Sequence, residues 1–74
     1  MAFPDNLRRL RLERFLSQAE LARRSGLSKF TLNRLEAGDQ APTSRTVRLL
    51  AAALEVPPAE LATPEELAER KAAA

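Results

Sequence analysis

The segment LSQAELARRSGLSKFTLNRLEAG, residues 16 to 38, holds both glycines of the 74-residue chain and leaves it little choice of fold. Ser17 can cap the next helical turn while Glu20, three residues on, reaches back to it, a capping-box pattern that starts a helix. Gly26 suits the left-handed stop of that helix. Only Leu27 intervenes before Ser28, which can cap a second helix whose buried side is Leu32 and Leu35 and whose end is Gly38. Two short helices joined this tightly cannot separate.

The flanking segments also carry helical patterns. Leu7 and Leu10 share a stripe interleaved with Arg8, Arg9, Arg11 and Arg14, which predicts a helix from about Pro4 to Phe15, with the proline near its start. After the loop DQAPT, Thr43 caps a helix bearing Val47, Leu50, Ala51 and Leu54, and Pro57 and Pro58 stop it. A short helical turn is expected around Ala59 to Leu61. Thr63, Pro64 and Glu66 then restart a terminal helix in which Glu66 can pair with Arg70. Leu67 is its one large apolar residue, so that helix needs a docking surface or frays. No strand pattern is present. The chain reads as all-α, with one compact domain over residues 1–62 and an acidic C-terminal helical tail over 63–74.

Composition narrows the chemistry. With 45% hydrophobic and 30% charged residues, the chain is too apolar for disorder, and at this length too short for two cores. The sequence has neither Cys nor His, which excludes disulfides and removes the usual ligands of zinc and transition metals. No cofactor is expected. No apolar run approaches the roughly 18 residues needed to span a bilayer, and the first residues do not resemble a secretion signal. A cytoplasmic protein without a membrane role is therefore expected. With no histidine base and no glycine-rich phosphate loop, an enzyme is not.

Charge is unevenly distributed. Residues 1–50 hold ten Lys/Arg against five Asp/Glu, whereas residues 51–74 hold two against five. A basic body suggests a polyanion, and an acidic tail suggests a segment that faces away from it. Two short helices around a glycine turn in a small basic domain suggest a helix-turn-helix, whose second helix enters the DNA major groove.

The residues extend that suggestion to a family. Residues 7 to 62 strongly resemble the lambda repressor/Cro-like, or XRE, family through Leu16-Ser17-Gln18, Leu21-Ala22, Gly26-Leu27-Ser28, Thr31-Leu32, Leu35-Glu36 and Gly38. Pro42 and Leu54-Glu55-Val56-Pro57 continue the pattern. The resemblance implies a five-helix domain, helix-turn-helix at helices 2 and 3, and a dimeric transcriptional regulator, most simply a repressor on double-stranded DNA.

Candidate site residues follow from the residues and the resemblance together. With Leu32 and Leu35 inward, Lys29, Phe30, Asn33 and Arg34 face outward, where the family's specificity residues lie. Lysine and arginine can donate to guanine, asparagine can pair with adenine, and an apolar ring can pack on a thymine methyl. Phosphate contacts are expected from Ser17, Gln18 and Ser28, helped by Arg23, Thr43 and Arg45. Glu36 closes the inward stripe, and a carboxylate there is seldom buried alone. The resemblance implies that Arg11 reaches it, as an ion pair between the first and third helices.

Three departures from the family pattern stand out. Phe15 occupies a place where glycine or a polar residue is common, which suggests a first helix without its left-handed stop. Asp39 replaces a common basic residue after Gly38. Phe30 puts an exposed ring on the reading face. A homodimer is expected because one such domain spans few base pairs, with Val56, Leu61 and Leu67 as its interface. The alternative is an antitoxin-type protein that binds a protein partner through the tail and autoregulates its own operon.

Overall fold

The computed structural model describes residues 2–63. The expected tail helix, its Glu66 and Arg70, the interface residue Leu67 and any partner contact through this segment lie outside the described residues. Among the described residues there are four α-helices: α1 (Phe3–Glu13), α2 (Gln18–Ser25), α3 (Lys29–Ala37) and α4 (Ser44–Leu54). A single 3-10 turn, Pro58–Glu60, follows. Over the described residues, the expected count of five helices is therefore corrected to four and one turn. Prolines 57 and 58 supply no N–H donors, and only Ala59 and Glu60 separate them from the buried Leu61, so a full helix has no room to propagate.

The starts of three helices follow local chemistry. The side chains of Ser17, Ser28 and Thr43 accept the backbone N–H groups of Glu20, Thr31 and Thr46. Each cap typically contributes about 1 kcal/mol. Glu20 completes the capping box by accepting the Ser17 backbone N–H at 3.0 Å. α1 has no side-chain cap, but Pro4 sits in its first turn and Asp5 complements the helix dipole there.

Helix ends depart from expectation in one respect. Leu16 N–H donates to the Arg11 carbonyl at 3.2 Å and Phe15 N–H to that of Leu12 at 3.0 Å, the paired closure of a Schellman stop. The residue in the left-handed position is Phe15 itself, with φ 55°. The stop expected to be missing is thus built without glycine, at a strain of roughly 1–2 kcal/mol. α4 closes in the same way around Glu55, with φ 59°. In both places the following residue, Leu16 or Val56, packs into or against the core, and that burial holds the unfavourable dihedral.

The core gathers Phe3, Leu7 and Leu10 of α1 with Leu21, Leu32, Leu35, Val47, Leu50 and Leu54. α2 packs on α4 and on α3, while α1 packs on α3. Ala22, itself buried, is small enough for the α2–α3 approach. The C-terminal turn packs on α4, and Asn6 Nδ2 donates to the Leu61 carbonyl at 3.3 Å, which ties this turn back to α1.

That arrangement turns Leu61, expected at the dimer surface, into the monomer's interior. Leu61 is 0% exposed and belongs to the monomer's core, and Val56 is half-buried against the same core. A small helical domain has to fill its own interior first, and these residues do so. Among the described residues, no helix is long and apolar enough to cross a membrane.

Candidate nucleic-acid interface

The turn between α2 and α3 is held by more than its glycine. Gly26 has φ 80°, yet nothing lies within 4 Å of where a Cβ would stand, so its backbone angle is what requires glycine there. Beside it, the buried Ser25 hydroxyl donates to the Ala22 carbonyl at 3.2 Å and accepts the Leu27 N–H at 3.3 Å. Sequence reasoning missed this role of Ser25. A serine before a helix-stopping glycine is a faint signal, and only its burial distinguishes it from a solvated one.

With both ends fixed, α3 can present one side only. Leu32 and Leu35 are fully buried, so Lys29, Phe30, Asn33 and Arg34 form an exposed strip on the opposite side. Phe30 is 70% exposed. Its ring is not bare: Arg34 Cζ lies 5.6 Å from the ring centroid, within cation–π range. The strip combines an ammonium, a carboxamide, a guanidinium and an aromatic ring, the types that match base edges in the major groove.

Beneath the strip, Arg11 of α1 meets Glu36 of α3 in a two-pronged ion pair. Nε to Oε2 is 2.6 Å and Nη2 to Oε1 is 3.0 Å. Arg11 Nη1 also donates to the Leu16 carbonyl at 2.8 Å, so one guanidinium joins α1, the α1–α2 corner and α3. The hydrogen bond to Glu36 raises the Arg11 pKa above its ordinary value, against the opposing effect of burial. Arg11 is therefore a permanent cation.

Gln18 joins this cluster. Its side-chain amide donates to Glu36 Oε1 at 3.2 Å, so the residue expected to bind phosphate is engaged inside the protein. The amide has a second N–H and a carbonyl oxygen to offer outward. Around it runs a polar cleft of about 260 Å³ lined by Arg8, Arg11, Gln18, Asn33, Glu36 and Ala37. Arg8 was not among the expected site residues. It shares a helix face with Arg11 three residues on, but nothing local reveals that this face borders α3.

The three hydroxyl residues expected at phosphates are all helix caps. Ser28 and Thr43 also lie 2.9 Å and 3.0 Å from the hydroxyls of Thr31 and Thr46, so each cap is a small hydroxyl pair. All three caps are exposed, at helix N-termini where backbone N–H groups and the dipole favour an anion. Arg45 lies in the first turn of α4 and Arg23 in the last turn of α2. Both are exposed and without an ion-pair partner among the described residues, whereas Arg9 is paired with Glu13 at 3.2 Å. Asp39 is exposed just past α3.

The chain is similar in sequence and fold to known proteins. A helix-turn-helix family model matches residues 7–61. An HTH-type transcriptional regulator of Sinorhizobium fredii, y4dJ, is 46% identical over 62 residues, which span 84% of this chain and 80% of that protein. The transcriptional repressor RstR of the cryptic phage CTXphi, from Vibrio cholerae, is 42% identical over 64 residues, 86% of this chain but only 58% of the repressor. Among solved structures, the restriction-modification controller protein C.AhdI from Aeromonas hydrophila superimposes with a TM-score of 0.78 at 37% identity. That match covers 80% of this chain and 89% of the controller.

Proposed function

The chain belongs to the helix-turn-helix family of XRE type, and from that membership we propose that it is a sequence-specific regulator of transcription that binds double-stranded DNA as a dimer and represses. Its α3 lies in the major groove and reads an operator half-site through Lys29, Phe30, Asn33 and Arg34. The observation that carries this reading is the exposed strip itself, four side chains of base-reading chemistry on a helix whose inward Leu32 and Leu35 are fully buried. Ser17, Gln18, Ser28 and Thr43, with Arg23 and Arg45, contact phosphates and set the register of that helix on the duplex.

Dimerisation follows from the length of DNA one domain can cover. Two copies on half-sites about one helical turn apart, roughly 34 Å, read a near-palindrome that one copy cannot. Repression is supported by the likeness to a phage repressor, and regulation more broadly by the likeness to a restriction-modification controller.

Selection of bound duplexes from a random pool at two salt concentrations tests the proposal, with sedimentation of the complex to count its subunits. A repeated half-site motif at both concentrations, with two chains per duplex, is the expected result. Binding that leaves no motif and falls steeply with salt would reduce the protein to a nonspecific polyanion binder.

A further inference from the structure

Phe30 and Arg34 stand one helical turn apart on the exposed side of α3, with the guanidinium carbon 5.6 Å from the ring centroid. On a solvated helix such a pair is a minor surface contact. Two features set this one apart. Phe30 is not needed by the core, since Leu32 and Leu35 are fully buried while the ring is 70% exposed. Arg34 has no carboxylate partner among the described residues, so the ring is the one group that orients it.

The chemistry of the two heads is complementary. A guanidinium carries its five N–H donors around the rim of a plane, so a ring set against the cation leaves donors for another acceptor. In the major groove the acceptor pair that suits this fork is guanine O6 and N7. The ring offers its apolar edge, and the apolar group a base presents in the major groove is the C5 methyl of thymine. The 5.6 Å between the heads exceeds one base-pair rise of about 3.4 Å and is less than two, so they address adjacent base pairs.

We propose that Phe30 and Arg34 form a single reading unit for a two-base-pair step in which a pyrimidine C5 methyl group neighbours guanine. Arg34 takes the guanine, and Phe30 both packs on the methyl and positions the guanidinium. Thymine supplies this methyl in unmodified DNA, and 5-methylcytosine supplies the same group. The inference rests on the reading that the outer side of α3 faces bases, and it adds the step and the coupling.

The test uses the half-site recovered by selection and measures affinity by fluorescence anisotropy. Duplexes carry thymine, deoxyuridine, cytosine or 5-methylcytosine at the position beside guanine, and adenine in place of the guanine. For the wild-type chain, deoxyuridine in place of thymine should weaken binding about fourfold, the value of one buried methyl. In a cytosine-containing duplex, 5-methylation should recover a similar factor. Phe30→Ala should abolish the methyl effect and also reduce the preference for guanine. Phe30→Leu should retain the methyl effect yet lose guanine preference, because it keeps an apolar surface but no ring to orient Arg34. Circular dichroism checks that both variants fold, as expected for a side chain outside the core.

A half-site lacking a methyl-bearing pyrimidine beside guanine would overturn the inference while leaving base reading by α3 intact. So would a Phe30→Leu variant with undiminished guanine preference. Recovery of no half-site at all would overturn both.

Discussion

Arg11 of α1 and Glu36 of α3 lie 25 residues apart in sequence and meet fork to fork, at 2.6 Å and 3.0 Å, with side chains only 11% and 7% exposed. The same carboxylate accepts from the Gln18 amide, and the same guanidinium donates to the Leu16 carbonyl. The pair therefore fixes α3 relative to both α1 and the start of α2. Removing either partner leaves the other largely buried without its counter-charge, which typically costs about 3–5 kcal/mol.

Glu36→Ala is accordingly expected to destabilise the domain by about 3 kcal/mol in urea unfolding. The double variant Arg11→Met with Glu36→Leu should lose markedly less than the sum of the single changes, because no charge is left stranded. Additive losses would mean that the two side chains do not act as a pair.

Phe15 makes the opposite case, a residue whose replacement should help. Phe15→Gly removes roughly 1–2 kcal/mol of left-handed strain and adds about 0.4–1 kcal/mol of unfolded-chain entropy. The ring is 93% exposed and contributes little packing. A net gain of about 0.5–1 kcal/mol is expected, seen as a melting temperature higher by several degrees. A lower melting temperature would show that the ring makes contacts that outweigh the strain.

Acid should weaken the capping box. Backbone and side-chain hydrogen bonds with Ser17 hold the Glu20 carboxylate below its ordinary pKa. A carboxylate depressed in the folded state contributes stability that is present above its unfolded-state pKa and is lost as pH falls through the folded value. Glu20→Gln can still accept the Ser17 N–H but does not titrate. Its melting temperature should fall less steeply than that of wild type between about pH 5 and pH 3. Parallel curves would show that Glu20 adds nothing to acid sensitivity.

Leu61 separates a core role from an interface role. Leu61→Ala should cost about 2–5 kcal/mol of folding stability, as for other fully buried leucines. That loss should be independent of protein concentration. If instead the monomer keeps its stability and the dimer dissociates more readily in sedimentation, Leu61 belongs to the interface after all.

The proposed phosphate contacts predict a distinct pattern on DNA. Arg23→Ala and Arg45→Ala should each weaken binding to all duplexes about equally and lower the slope of log affinity against log salt by about one. A changed half-site preference would move the affected arginine from the phosphates to the bases.

Much of this protein was written in short-range chemistry. Ser17 with Glu20, Ser28 and Thr43 start helices, Gly26 and Gly38 end them, and Leu32 with Leu35 decides which side of α3 remains outside. Those signals act over one or two turns through backbone hydrogen bonds and side-chain periodicity, so they can be read without knowing where any helix goes. The tertiary structure decided what depends on groups distant in the chain. It put Leu61 in the core, turned Gln18 toward Glu36, and brought Arg8 to a cleft beside Asn33. It also drove Phe15 and Glu55 into the left-handed region that neither residue prefers. In those two places local propensity yields because the next residue gains more by packing with the core than the strained dihedral costs, and a balance between burial and strain exists only once the helices have met.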